Sequence, residues 1–123
     1  TDEQKAADNL KQLEWAKKAN INLLMSITKN IVSKKLKAPG SAQYAALNNL
    51  YISEKWKLYS DGVVQVRGPV DSQNAMGALV RAHFVVRFVV TNVEVVADGT
   101  QQGNYHELEC SVTEGKWSRM FNE

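Results

Sequence analysis

With 123 residues, of which 44% are hydrophobic and 23% charged, the chain has the size and balance of one folded domain, which excludes a disordered polymer. Fifteen Lys and Arg against 13 Asp and Glu leave a net charge of +2, too small an imbalance to point to nucleic acid. The single cysteine, Cys110, excludes an intramolecular disulfide and a cysteine-based zinc cluster, and its place among strand-forming residues fits a small buried hydrophobe.

No apolar run approaches the ~18 residues that a membrane span needs, and Arg81, His83 and Arg87 interrupt the longest stretches, so a soluble domain is expected. The chain starts at Thr1 rather than Met, which leads us to expect a removed upstream piece: a signal peptide, a lipid anchor or a purification tag.

From Asp2 to about Lys37, Ala6, Leu10, Leu13, Leu24, Ile27 and Ile31 recur at steps of three and four, the spacing of one helix face. Asp2 and Glu3 complement the positive start of that helix, and Lys34, Lys35 and Lys37 its negative end. The stripe falters at Asn20, Ile21 and Asn22, so the segment is one long helix, bent or broken near residue 20, with the continuous form preferred. Ala38, Pro39 and Gly40 stop it, and Ser41 is placed to cap a short turn through Ala45 and Ala46.

Beyond Asn49 the period becomes two. Ile52, Trp56 and Leu58 alternate with Ser53, Lys55 and Lys57, and Ser60, Asp61 and Gly62 turn the chain into a returning strand, Val63 to Val70. After a loop from Asp71 to Gly77, Val80, Ala82, Phe84, Val86, Phe88 and Val90 share one apolar face, whereas Arg81, His83 and Arg87 fall on the other. The apolar parity switches at Thr91 and Asn92, which predicts a bulge. A last strand, Tyr105 to Thr113, follows the polar turn Asp98 to Gly103, with His106, Leu108, Cys110 and Val112 inward. The expectation is a single α+β domain over 1–123, a helical segment (1–37) packed on a curved four-stranded antiparallel meander (50–113), cystatin-like or NTF2-like in general shape only.

The two histidines fall on opposite faces by this periodicity, no serine sits in a G-x-S-x-G elbow, and no His, Asp or Glu set has ligand spacing. No catalytic residue, metal or cofactor is therefore expected. Lys29, Lys34, Lys35 and Lys37, beside Lys17 and Lys18, form a basic cluster that reads first as a solvated helix face and second as a contact for anionic lipid or nucleic acid. Arg81, His83 and Arg87 are candidate binding residues and can alternatively form an ion-pair ladder with Glu107 and Glu109. Trp15 falls off its helix stripe and Trp117 follows the last strand near Met120 and Phe121. Both are candidates for a protein or dimer contact, with packing of the helix flank as the alternative.

Two stretches, Leu36-Lys37-Ala38-Pro39-Gly40-Ser41-Ala42-Gln43-Tyr44 and Gly68-Pro69-Val70-Asp71-Ser72-Gln73-Asn74-Ala75-Met76-Gly77-Ala78, the latter followed by Val80-Arg81 and Phe84, resemble a paired pattern of an uncharacterised bacterial and phage family. The chain departs from it at Gly40, Pro69 and Met76. The resemblance implies a small lipoprotein or a domain behind a membrane anchor, hence an envelope or periplasmic location, and it implies no activity. Physically, the first stretch ends a helix and delivers Tyr44 to the sheet. In the second, Asp71 can accept backbone amides, Gln73 can bridge strands, and Asn74 and Gly77 suit left-handed geometry. A structural role accounts for both, and a recognition site of Asp71, Gln73, Asn74 and Arg81 is the functional alternative.

The sequence thus points to a non-catalytic interaction module whose partner is another protein or a second copy, with membrane contact only through an upstream anchor. The competing reading is a small-molecule-binding or enzymatic NTF2-like domain that uses a cavity between helix and sheet, with His106, Glu54 or Tyr105 at the mouth.

Overall fold

The computed structural model describes residues 1–44 and 56–114. The helical segment is two helices, α1 (Asp2–Lys18) and α2 (Ile21–Ser33), and they part at the place where the stripe falters. Thr1 caps α1, its hydroxyl accepting the Gln4 N–H at 3.2 Å, and Asn20 caps α2, its Oδ1 accepting the Leu23 N–H at 2.8 Å. A second cap in mid-segment is what turns a bend into a break.

The two helices bury differently. Leu23, Leu24, Ile27, Thr28, Ile31 and Val32 of α2 are all buried, and Thr28 satisfies its hydroxyl on the Leu24 carbonyl at 2.8 Å. In α1 only Ala16 is buried. Ala6 and Leu10, expected on the core stripe, are exposed, Leu10 by 57%. Gln12 and Leu13 pack over Gly62, so α1 meets the sheet through its second half and its first turns run beyond the body.

The sheet contains β1 (Ala38–Gln43), β2 (Trp56–Leu58), β3 (Val63–Gln73), β4 (Leu79–Val95) and β5 (Gln101–Glu114), all antiparallel, in the order β1-β3-β4-β5 with β2 also on β3. Because β4 covers one edge of β3 from Val63 to Gln73, β1 and β2 share the other edge, β1 near Asp71 and Gln73 and β2 near Val64 and Val66. The result is a half-barrel four strands wide, curled around α2. The predicted strands are all present, though Ile52 to Lys55 lie outside the described residues, as do Ala45 and Ala46.

Strand β1 is the unexpected element. The helix stops at Ser33 rather than Lys37, and the Ala-Pro-Gly-Ser stretch pairs with β3 instead of only terminating a helix. An edge strand tolerates proline because one of its sides forms no ladder. Ser41 caps no helix here: its hydroxyl donates to the Ala38 carbonyl at 2.7 Å and accepts the Gln73 N–H at 2.9 Å.

Val64, Val66, Val70, Ala82, Phe84, Val86, Phe88 and Val90 form the core with α2. Tyr44 stands edge-on to Phe84 with ring centres 6.4 Å apart, as the first motif suggests. Complete burial of a phenylalanine such as Phe84 or Phe88 contributes roughly 2–3 kcal/mol each.

Two bulges shape the long β4–β5 ribbon. One falls at Thr91, where parity predicts it, between the pairs Val90↔Tyr105 and Asn92↔Asn104. The other inserts Leu108 between Glu107, opposite Phe88, and Glu109, opposite Arg87. The Leu108 bulge reverses the faces of the residues before it. Cys110 and Val112 point inward as expected, but His106, opposite Val89, is exposed on the outer face, and Tyr105 takes the inward place.

Candidate functional site

The seam between α2 and β5 forms a concavity. One wall is the α2 ridge Leu23, Ser26, Ile27 and Asn30, and the other is Gln101, Gln102, Gly103 and Tyr105 of β5, enclosing a cleft of about 350 Å³. It continues past Asn20 and Asn22 toward the β4–β5 turn, Asp98 to Thr100. Three local features build it. At Gly103 a methyl group would fall inside van der Waals contact of the Asn92 carbonyl and 3.2 Å from Leu23 Cδ2, so only glycine lets α2 lie this close. The Gln101 side chain accepts the Asn20 N–H at 2.7 Å and donates to the Lys18 carbonyl at 2.8 Å, satisfying the backbone on both sides of the helix break. The Asn30 amide donates to the Tyr105 hydroxyl, joining wall to wall.

Along β5 the second edge of the strand pairs with nothing among the described residues. Glu107, on the same face as Tyr105, places a carboxylate just past one end of the cleft, and Asp98 lies at the other. Glu109, on the outer face, is 3.9 Å from Arg87. Amides and hydroxyls share the lining of the seam with the apolar Leu23 and Ile27, and its ends are acidic. The amides and hydroxyls can donate and accept hydrogen bonds.

The recognition residues expected from the second motif gather at the opposite end of β4. Asp71 and Arg81 are directly opposed and form a two-pronged pair, Nε to Oδ1 at 2.8 Å and Nη2 to Oδ2 at 2.9 Å. Asp71 thus engages a guanidinium, not the backbone amides expected of it. The Arg81 hydrogen bond, aided by its charge, holds the Asp71 carboxyl below its ordinary value. The Asn74 side chain accepts the N–H groups of Met76 at 2.9 Å and Ala78 at 3.1 Å, with its φ negative, and left-handed geometry falls to Gly77 alone, at φ +83°. Gln73 does bridge strands, through its backbone N–H to Ser41.

His83 has the outward parity expected, yet it is only 3% exposed. Periodicity reports the face a residue takes, not whether that face is wet. Burial, then the nearby Arg81 charge, lowers the His83 pKa. The histidines therefore share the outer face rather than opposing each other. They stand six β4 residues apart, roughly 20 Å, too far to cooperate.

Arg87 reaches Glu109 and also lies 5.8 Å from the Tyr59 ring centre, so one rung of the expected ladder is present. Trp15 is half-buried against the core with the Lys18 ammonium 4.9 Å from its ring centre, which is packing of the helix flank. Trp117, Met120, Phe121 and Glu54 lie outside the described residues. The Cys110 thiol is pushed up by burial, then by the Glu107 charge, and so is a poor nucleophile. Among the described residues no three His, Cys, Asp or Glu side chains come together, and no helix is long and apolar enough to cross a membrane.

The seam was legible only in part. Tyr105 is foreseen at the cavity mouth, but Gln101 and Gln102 read as turn residues, and nothing in the sequence singles out Ser26 and Asn30. The one signal was the amide-rich run Gln101-Gln102-Gly103-Asn104 entering a strand. Comparison of the chain with protein-family models, with curated proteins and with solved structures finds no match.

Proposed function

We propose that this chain is a non-catalytic binding module, belonging to an envelope-associated protein of a bacterium or its phage, and that it takes an extended polypeptide segment along β5. The observation that carries the reading is a 14-residue edge strand, unpaired among the described residues on its outer side, beside a cleft walled by α2. An added strand gains backbone hydrogen bonds from β5 and side-chain contacts from α2, the two components of strand-addition recognition. Glu107 and the bulge at Leu108 restrict pairing to the stretch from Gln101 to His106, since charges and bulges guard sheet edges. They also favour a guest with a basic side chain near Glu107. The family resemblance supports the envelope setting.

The test is selection of random displayed peptides against the full chain, followed by titration of the selected peptides into isotope-labelled protein. Amide signals of Gln101 to Tyr105, Leu23 and Asn30 are expected to shift, and β5 amides to gain protection from exchange. Ser26→Trp, at an exposed position on the cleft wall, is expected to weaken binding about tenfold, or ~1.4 kcal/mol. An empty selection, shifts confined to other surfaces, or equal binding by Ser26→Trp would each refute the proposal.

A second reading rests on the cleft itself. Its volume of about 350 Å³ and its amide and hydroxyl lining suit a small neutral polar ligand such as a sugar. Saturable shifts around Ser26, Asn30 and Tyr105 on adding monosaccharides, with no response to peptides, would favour it.

A further inference from the structure

The end of the sheet farthest from the β4–β5 turn combines features that the seam does not use. The β3–β4 turn lifts Met76 almost entirely into solvent, 91% exposed, and Leu79 at the strand start is 59% exposed. The protrusion is held firmly. Asn74 accepts two backbone amides, the Asn74 N–H donates to the Ala78 carbonyl at 2.9 Å, and the Gly77 N–H donates to the Asn74 carbonyl at 3.0 Å. Behind it stand the Asp71–Arg81 pair and the Ser41 hydroxyl on Gln73.

Cations lie beside and behind this tip. Ala38 is opposite Gln73, which sets Lys37 beside Asn74 at the base of the turn. Lys35, Leu36 and Lys37 share a hollow with Ser72, Gln73 and Glu114, and Lys34 precedes them at the end of α2. Arg81 flanks the tip on β4, leaving Lys34, Lys35, Lys37 and Arg81 against Asp71 and Glu114. A convex apolar knob in a basic collar is the reverse of a small-molecule site. It matches a surface that is anionic outside and apolar within.

We propose that this end of the sheet docks on an anionic lipid bilayer, Met76 and Leu79 entering the headgroup layer while Lys34, Lys35, Lys37 and Arg81 meet its charge. Two apolar side chains and a net excess of two cations give weak, reversible attachment. That is the strength of a contact that orients a domain on a membrane rather than one that anchors it there. It orients the domain with the tip toward the membrane and the β4–β5 turn away from it.

The experiment is co-sedimentation of the full chain with vesicles of equimolar phosphatidylglycerol and phosphatidylcholine, and with phosphatidylcholine alone. Binding to the anionic vesicles only is expected, and salt should weaken it. Each of Lys35→Glu and Lys37→Glu should lower the partition roughly fivefold or more at low salt. Met76→Asp should do the same with an unchanged melting temperature, because its side chain touches little of the protein. Leu10→Ser, at an exposed leucine on α1, serves as the control and should bind as the parent. Ser26→Trp should also keep vesicle binding, so this proposal and the β5 reading fail separately. No sedimentation with anionic vesicles at low salt, equal binding to neutral ones, or parent-like binding by Met76→Asp and Lys37→Glu would overturn the proposal.

Discussion

The two turns that bound β4 are built alike and surrounded differently. Asn74 and Asp98 each accept backbone amides just ahead in the chain, and Gly77 and Gly99 follow with positive φ. Around the first turn lie exposed Met76 and Leu79 and a set of lysines. Around the second lie Asp98, Gln101 and Gln102, with Glu94 opposite Gln102. Turn chemistry fixes the path of the chain and leaves the binding character of each end to its neighbours. One polypeptide can therefore present a basic apolar tip and an acidic, amide-lined seam on the same ribbon, roughly 50 Å apart along the 17 residues of β4.

The sharpest way to break the contrast is at the seam. Gly103→Val should destabilise the fold by ~3 kcal/mol or more in urea unfolding, because the added carbons overlap the Asn92 carbonyl and push Leu23 off β5. A parent-like midpoint would show that α2 does not rest on the strand. A smaller pair of changes compares the ends directly: Asn74→Ala removes the acceptor for two amides at the tip, and Gln101→Ala removes two hydrogen bonds at the seam. Each should cost about 1–2 kcal/mol. Their sum should hold within ~0.5 kcal/mol in the double variant, since the sites share no partner. A large coupling term would mean that the ends communicate through β4.

The smallest effect belongs to Asp71→Asn, ~0.5–1 kcal/mol at neutral pH, because Arg81 is mostly exposed. Its pH dependence has a definite sign. The Asp71 pKa is lower in the folded chain than its ordinary 3.8, so the pair stabilises above that value and the contribution is lost as pH falls through the folded pKa. His83, lowered from 6.5 by burial and then by Arg81, acts earlier. Its unfolded form takes up a proton first, so stability should begin to fall below pH 6.5, and His83→Phe should flatten that limb of a melting-temperature profile.

The sequence carries the α2 stripe, the switch to alternation, the turn residues and the bulge at Thr91, because each is a local pattern of residue types. What it hides depends on pairing. Ala38 to Gln43 contains Pro, Gly and Ser and looks like punctuation, and only β3 alongside makes it a strand. Leu108 carries no mark of a bulge, yet that one inserted residue sends His106 to the outer face. Asp71 and Arg81 are recognisable as charges ten residues apart, but their two-pronged contact requires the β3–β4 register. Gln101 bonds with residues more than 80 positions away, beyond the reach of any local signal.

That glutamine has a mechanical consequence. A single amide group holds the last carbonyl of α1 and the first free N–H ahead of α2, while its own backbone belongs to β5. A one-residue shift of β5 would therefore break both bonds at the helix junction together. The packing of Ala16 and Trp15 on the sheet would then be left to set the angle of α1 without the help of its C-terminal end.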